Sequence, residues 1–236
     1  MPILEQLIAV VGDEHGEGAA NRLCEACVAL FDVDAAAISL IVDGAHTATV
    51  GASGPTARVL DELQFTLGEG PAVDAVTRRA PVLVTDLAEA GGATRWPTYR
   101  PAILVHGIRS LYAIPIAIVG HFMGALTLLR AHPGMLTAQQ FTDALVAAEL
   151  AEMPILDLTK ADLQAAVADP DSNSWTELTA LTRTEVNQAT GMLAAQLNIE
   201  PAMALVRLRA HAYATHRTPT DVARDILARR LRLQAD

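Results

Sequence analysis

The side chains in this sequence best suited to chemistry are arginines, and what they offer is phosphate binding. Arg207, Arg209, Arg224, Arg229 and Arg230 gather near the C-terminus. A guanidinium presents its N–H donors as a planar fork that fits phosphate oxygens two at a time. Gln188 and Thr190, a little upstream, are polar candidates for contact with bases. Arg207 and Arg209 lie two apart, so on a helix they point about 200° away from each other. Arg224, Arg229, Arg230 and Arg232 form the denser patch. Ordinary pairing competes with phosphate binding here, because Asp221 lies three residues before Arg224 and Asp225 four before Arg229. His211, Tyr213 and His216 could stack on bases or be plain surface residues.

The charge balance sharpens the reading. The chain carries a formal net charge of −10, unevenly spread. Residues 176–236 hold eight arginines against six acids, and residues 1–175 hold nine basic and 21 acidic side chains. A locally basic end keeps a polyanion partner open in an acidic chain. Phosphate contacts would make binding strongly salt-dependent, with base specificity left to polar groups facing unstacked loop bases.

Other candidates are weighed against blander roles. Cys24 and Cys27 form a Cys-x-x-Cys, but they fall in a helical pattern with Leu23, Val28 and Phe31, which favours two small core side chains over redox or zinc chemistry. Gly68-Glu69-Gly70-Pro71 precedes a short helix and could offer N–H groups to an anion; a tight turn that fixes helix entry is the favoured alternative. Trp96, Tyr99 and Tyr112 either line a small-molecule pocket or close the loop face of the domain. The seven histidines show no paired metal spacing, and no Ser/His/Asp set declares itself. No enzyme, metal or resident cofactor is expected; the chain would either bind an unidentified small molecule or respond to a partner.

The elements that must position these residues can be read from periodicity and caps. A helical pattern runs over 175–197 and exits at Asn198, which tolerates a left-handed backbone. A second helix starts at Pro201, whose missing N–H costs nothing in a first turn. A third opens with Thr218-Pro219-Thr220-Asp221 and continues with Val222, Ile226, Leu227, Leu231 and Leu233 on its buried side. The expected product is a three-helix bundle. Upstream, one or two helices over 3–30 lead to strands at 36–42 and 46–50, helices near 56–63 and 71–79, and a strand at 82–84. A helix through Ile103 follows. Pro115, Gly120, His121 and Gly124 interrupt the apolar span 111–129, which therefore reads as two strands and not as a membrane helix. A helix runs from Thr137 to about Met153, where Pro154 ends or kinks it. The turn-rich run 169–174 marks a domain boundary. The N-terminus lacks a basic leader, and a soluble cytoplasmic protein is expected.

Two resemblances follow from these residues. Gln188-Ala189-Thr190-Gly191-Met192-Leu193, then Ala204, Leu208, Arg209 and Ala212, then Asp221-Val222-Ala223, resemble an ANTAR domain over about 183–233. Thr190 stands where many members carry Lys. Phe65-Thr66-Leu67-Gly68-Glu69-Gly70-Pro71, Pro81-Val82-Leu83-Val84-Thr85-Asp86-Leu87, Arg95-Trp96-Pro97 and Leu111-Tyr112-Ala113-Ile114-Pro115-Ile116 resemble a GAF domain over about 5–150. The order is similar to that of actinobacterial GAF–ANTAR antiterminators. The resemblance implies an α+β sensor, with an antiparallel sheet flanked by helices over 1–155, a connector over 156–175 and an RNA-binding three-helix bundle over 176–236. It implies leader-transcript hairpins as RNA partners, a possible small-molecule ligand and a homodimer. The alternative is a sensor whose helical tail binds a partner protein or a second copy, without RNA. Helix-turn-helix DNA binding fits less well, because the last two helices lack a clear short-turn recognition arrangement.

Overall fold

The computed structural model describes residues 2–42, 44–89, 95–118, 120–158 and 183–234. The chain forms two compact units, residues 1–172 and 173–236. Most of the expected connector at 156–175 lies outside the described residues; residues 156–158 are helical.

The N-terminal unit runs α1 (Ile3–Val11), α2 (Gly16–Phe31), β1 (Ala35–Val42), β2 (Ala45–Ala52), α3 (Pro55–Leu67), α4 (Pro71–Arg78), β3 (Val82–Val84), α5 (Tyr99–Val105), β4 (Ser110–Ile118), β5 (His121–Arg130) and α6 (Ala138–Leu150). Further helical turns occupy 152–158. The five strands form one sheet in the order β2-β1-β5-β4-β3, with every neighbouring pair antiparallel. The local causes are plain. Pro55 and Pro71 open α3 and α4 at a position that needs no N–H. Thr137 and Gln140 close a reciprocal capping box at the start of α6. β3 reaches only to Ala113 on β4, so β4 becomes an edge on that side from Ile114 onward, where a strand tolerates Pro115.

Residues opposed across antiparallel strands share a face of the sheet. Ala35 and Ala37 of β1, Ala113 of β4 and Leu129 of β5 pack with Leu60 of α3, Ala75 of α4 and Tyr99 and Ile103 of α5. The opposite face meets α2, where Gly51 of β2 admits Ala20 so closely that a Cβ at position 51 would collide with it. It also meets the 152–158 turns, where Ile155 lies against Gly124 of β5. The sheet is therefore covered on both faces. Among the described residues no helix is long and apolar enough to cross a membrane.

The C-terminal unit is three helices: α7 (Thr184–Leu197), α8 (Pro201–Ala214) and α9 (Pro219–Leu227). Its core is Val186, Ala189 and Leu193 against Ala204, Leu208 and Ala212, with Val222, Ala223 and Ile226 completing it. Asn198 ends α7 in the left-handed region, and the Thr218 hydroxyl accepts the Asp221 N–H at the start of α9. One expectation fails: α9 stops at Leu227 rather than Leu233, because Arg229 turns left-handed with φ of 58°. Leu231 and Leu233 follow outside the helix and are only half-buried.

Candidate nucleic-acid interface and the polar core of the sheet

The arginines of the C-terminal unit separate into distinct environments. On α8, Arg207 donates from Nη1 to the Gln234 carbonyl at 3.0 Å. Arg209 is half-buried; burial, with the charge of Arg183 nearby, lowers its pKa to about 10, so it stays charged at neutral pH. On α9, Arg224 lies 3.4 Å from Glu185 of α7 and 3.6 Å from Asp221. Arg230 lies 2.6 Å from Asp225. The expected Asp225–Arg229 pair does not form: the helix ends between them, Arg230 takes the carboxylate, and Arg229 stays exposed with no ion pair among the described residues. Arg217, in the α8–α9 turn, also reaches Asp225 at 2.6 Å. Sequence reasoning missed Arg217, because it sits outside any helical stripe. Hydrogen bonds from Arg217 and then Arg230 hold the Asp225 carboxyl below the usual range.

The two polar candidates on α7 part company. Gln188 is exposed. Thr190 is buried, and its hydroxyl donates to the Val186 carbonyl at 2.7 Å, within its own helix. His216 and Tyr213 are exposed and His211 half-buried.

In the N-terminal unit, the three aromatic candidates do not come together. Trp96 and Tyr99 meet edge to face at 6.1 Å over the α3–α5 face of the sheet. Tyr112 neighbours Ala113 on β4 and so points to the other face, where its hydroxyl donates to the Gly134 carbonyl at 2.8 Å. All three are buried. Trp96 Nε1 and Tyr99 OH, with Thr127 Oγ1 of β5, are buried polar atoms with no hydrogen-bond partner among the described residues. Burial, reinforced by the charge of Asp61, pushes the Tyr99 pKa well up, so the hydroxyl keeps its proton. Cavities open elsewhere in this unit. One of about 210 Å³ lies among Ile8, Val11, Leu23, Leu150, Met153 and Pro154, and a more open one of about 380 Å³ among Thr85, Asp86, Glu89 and Arg95.

Sequence reasoning also missed the polar centre beneath α3. The buried Asp61 carboxylate accepts hydrogen bonds from Ser39 Oγ at 2.7 Å, His46 Nε2 at 2.9 Å, Thr49 Oγ1 at 2.8 Å and Gln64 Nε2 at 2.9 Å. Burial alone would raise its pKa; His46 and the hydroxyl donors outweigh that and hold it below the usual range. Gln64 passes the network on, accepting the Ala72 N–H of α4 at 2.8 Å. The Gly68 N–H also stays inside the protein, donating to the Gln64 carbonyl at 2.9 Å. A side chain at Gly70, with φ of 154°, would strike Gln64. Glu69 turns away and accepts the N–H groups of Thr98 and Tyr99 at 2.6 and 2.8 Å, capping α5. Through Gln64 and Glu69 this region ties α3, α4 and α5 together.

Cys24 and Cys27 are free and fully buried. Burial raises the pKa of Cys24 well above its ordinary value and that of Cys27 to about 12, so both are inert thiols. Among the described residues no group of three or more His, Cys, Asp or Glu side chains is disposed to hold a metal ion.

Comparison with known proteins agrees with this architecture. The GAF domain of a phosphoenolpyruvate-protein phosphotransferase from Coxiella burnetii superposes with a TM-score of 0.53 at 17% identity, over 70% of this chain and 95% of its own. The corresponding GAF domain from Acinetobacter gives a TM-score of 0.50 at 11% identity, over 72% and 96%. At such identities the likeness shows the fold alone. No curated protein matches the chain. The family model of the ANTAR domain matches residues 177–227 and that of the GAF domain residues 17–148. ANTAR is an RNA-binding antitermination domain and GAF a ligand-sensing one; both are regulatory. The chain belongs to the GAF domain family, and carries an ANTAR domain after its GAF domain.

Proposed function

We propose that this protein is a ligand-responsive RNA-binding regulator of transcription antitermination. The observation that carries the reading is the ANTAR match falling on a bundle whose exposed surface bears Gln188, Arg224, Arg229 and Arg230. The bundle grips hairpin loops of a leader transcript as a homodimer, arginines on phosphates and Gln188 on a base. Thr190, turned into its helix, serves packing and not readout. The sensor responds to a small molecule that accepts hydrogen bonds from Trp96 Nε1 and Tyr99 OH, donors that are costly to leave unmet. Tyr112, on the other face, takes no part. A ligand acts on the bundle only through unequal affinity for two arrangements of the chain.

Crosslinking of the tagged protein to RNA in its native cell, followed by sequencing, tests this. Leader transcripts with paired hairpin loops should be enriched over recovery with Arg229→Ala/Arg230→Ala; equal recovery would count against it. A second reading has its own support: Met203, Val206 and Tyr213 are exposed apolar side chains along α8. They suit a helical tail that binds a partner protein or a second copy. Loss of self-association in Val206→Gln with RNA recovery absent throughout would favour that reading.

A further inference from the structure

α8 and α9 end in the same way. Each passes through a non-glycine residue in the left-handed region, His216 with φ of 54° and Arg229 with φ of 58°. The next residue in each case returns its N–H to the carbonyl five positions back: Arg217 to Ala212 at 2.9 Å and Arg230 to Asp225 at 2.8 Å. That double use of one helix-end motif fixes the backbone of two arginines, and cations are favoured where helix carbonyls point outward.

Their side chains then converge. Arg217 Nη2 donates to Asp225 Oδ2 at 2.6 Å and to the Asp221 carbonyl at 3.1 Å. Arg230 takes the other oxygen, with Nε at 2.8 Å and Nη2 at 2.6 Å from Oδ1. One carboxylate thus holds two guanidiniums side by side, and the trio keeps a net positive charge. An ion pair that served only to tie the turn to α9 would need one arginine. Arg217 Nε and Nη1, and Arg230 Nη1, are not used by Asp225 and remain as donors. All three side chains reach solvent, those of Arg217 and Arg230 at 37% and 64% exposure. Arg229, next in sequence, adds a cation with no ion pair among the described residues.

We infer that Arg217 and Arg230, positioned on Asp225, form a two-pronged clamp for an RNA phosphodiester. This rests on the RNA-binding reading above and names a contact residue, Arg217, and a positioning residue, Asp225, within it. Two adjacent planar forks suit the paired oxygens of a phosphate better than a point charge would.

The test is titration of the full chain against a fluorescein-labelled RNA of two short hairpins, by anisotropy, at several salt concentrations. Arg217→Ala should weaken binding roughly tenfold at low salt and make the slope of log K against log salt shallower by about one. Arg217→Lys, which keeps the charge and loses the fork, should fall between that variant and the parent. Asp225→Asn separates the clamp from bulk charge. Removing an acid from an RNA-binding face would strengthen binding if charge alone mattered, whereas loss of positioning weakens it a few-fold. Thermal melting confirms that each variant is folded. A parent that binds with Arg217→Ala unchanged, or with Asp225→Asn tighter, overturns the clamp and leaves RNA binding standing. A folded parent that binds no RNA by this assay or by crosslinking in the cell overturns both.

Discussion

Asp61 accepts four hydrogen bonds where it is 2% exposed, whereas Asp225 takes two arginines at the surface. Both carboxylates are held below the usual range by their donors, but by different physics. At Asp61 burial opposes the charge, and the network stands because Ser39, His46, Thr49 and Gln64 converge on it from two strands and a helix. Remove the carboxylate and Ser39, His46 and Gln64 are stranded away from water. At Asp225 water replaces whatever is lost. A buried polar cluster specifies a fold, and an exposed one can be exchanged for a ligand.

The contrast would break first at Asp61. Asp61→Ala should destabilise the N-terminal unit by about 3–5 kcal/mol, the usual cost of leaving buried partners uncompensated. Urea denaturation measures it, and a loss below about 1 kcal/mol would mean the network relaxes as freely as a surface one. Acid sharpens the point. The folded-state pKa of Asp61 is lowered, so its stabilisation is present above the unfolded value of about 3.9 and drains away as pH falls through the lower folded value. Circular dichroism during acid titration should show this limb, and Asp61→Asn should flatten it; an identical limb in that variant would assign acid unfolding to other carboxylates. A smaller effect separates two buried tyrosines. Tyr112→Phe loses the bond to Gly134 and should cost about 1 kcal/mol, whereas Tyr99→Phe removes an unpartnered hydroxyl and should be neutral or stabilising. Equal losses would mean that Tyr99 has found a partner in solution. Smallest is Asp225→Asn, whose melting temperature should match the parent while its RNA affinity does not. A clear fall in melting temperature would place Asp225 among structural residues.

Much of the scaffold was legible in the sequence because its signals are local. Pro201, Asn198, Thr218 and Thr137 announce helix ends through their own backbone or hydroxyl chemistry, and the structure uses each as expected. The proline and glycines of the 111–129 span separated two strands from a membrane helix. What escaped was non-local. Asp61 sits between Leu60 and Glu62 like any solvated helix acid, and its donors Ser39, His46 and Thr49 lie 22, 15 and 12 residues away. Tyr112 was grouped with Trp96 and Tyr99 by type, when strand alternation sends it to the other face. The Asp225–Arg229 pairing assumed a helix that continues, and the turn at Arg229 handed the carboxylate to Arg230. Arg217 carried a usable signal, a cation just beyond a helix end and directly before a capping threonine, but only the fold shows where it points.

Glu69 has a mechanical consequence. It belongs to the turn between α3 and α4, yet one of its oxygens holds two amides 29 and 30 residues further along the chain. The segment bearing Trp96 and Tyr99 and the turn ahead of α4 are therefore stapled at one atom. That atom gives the aromatic pair a route to α4 that does not pass along the intervening chain, and Glu69→Gln, which removes the charge, would slacken it.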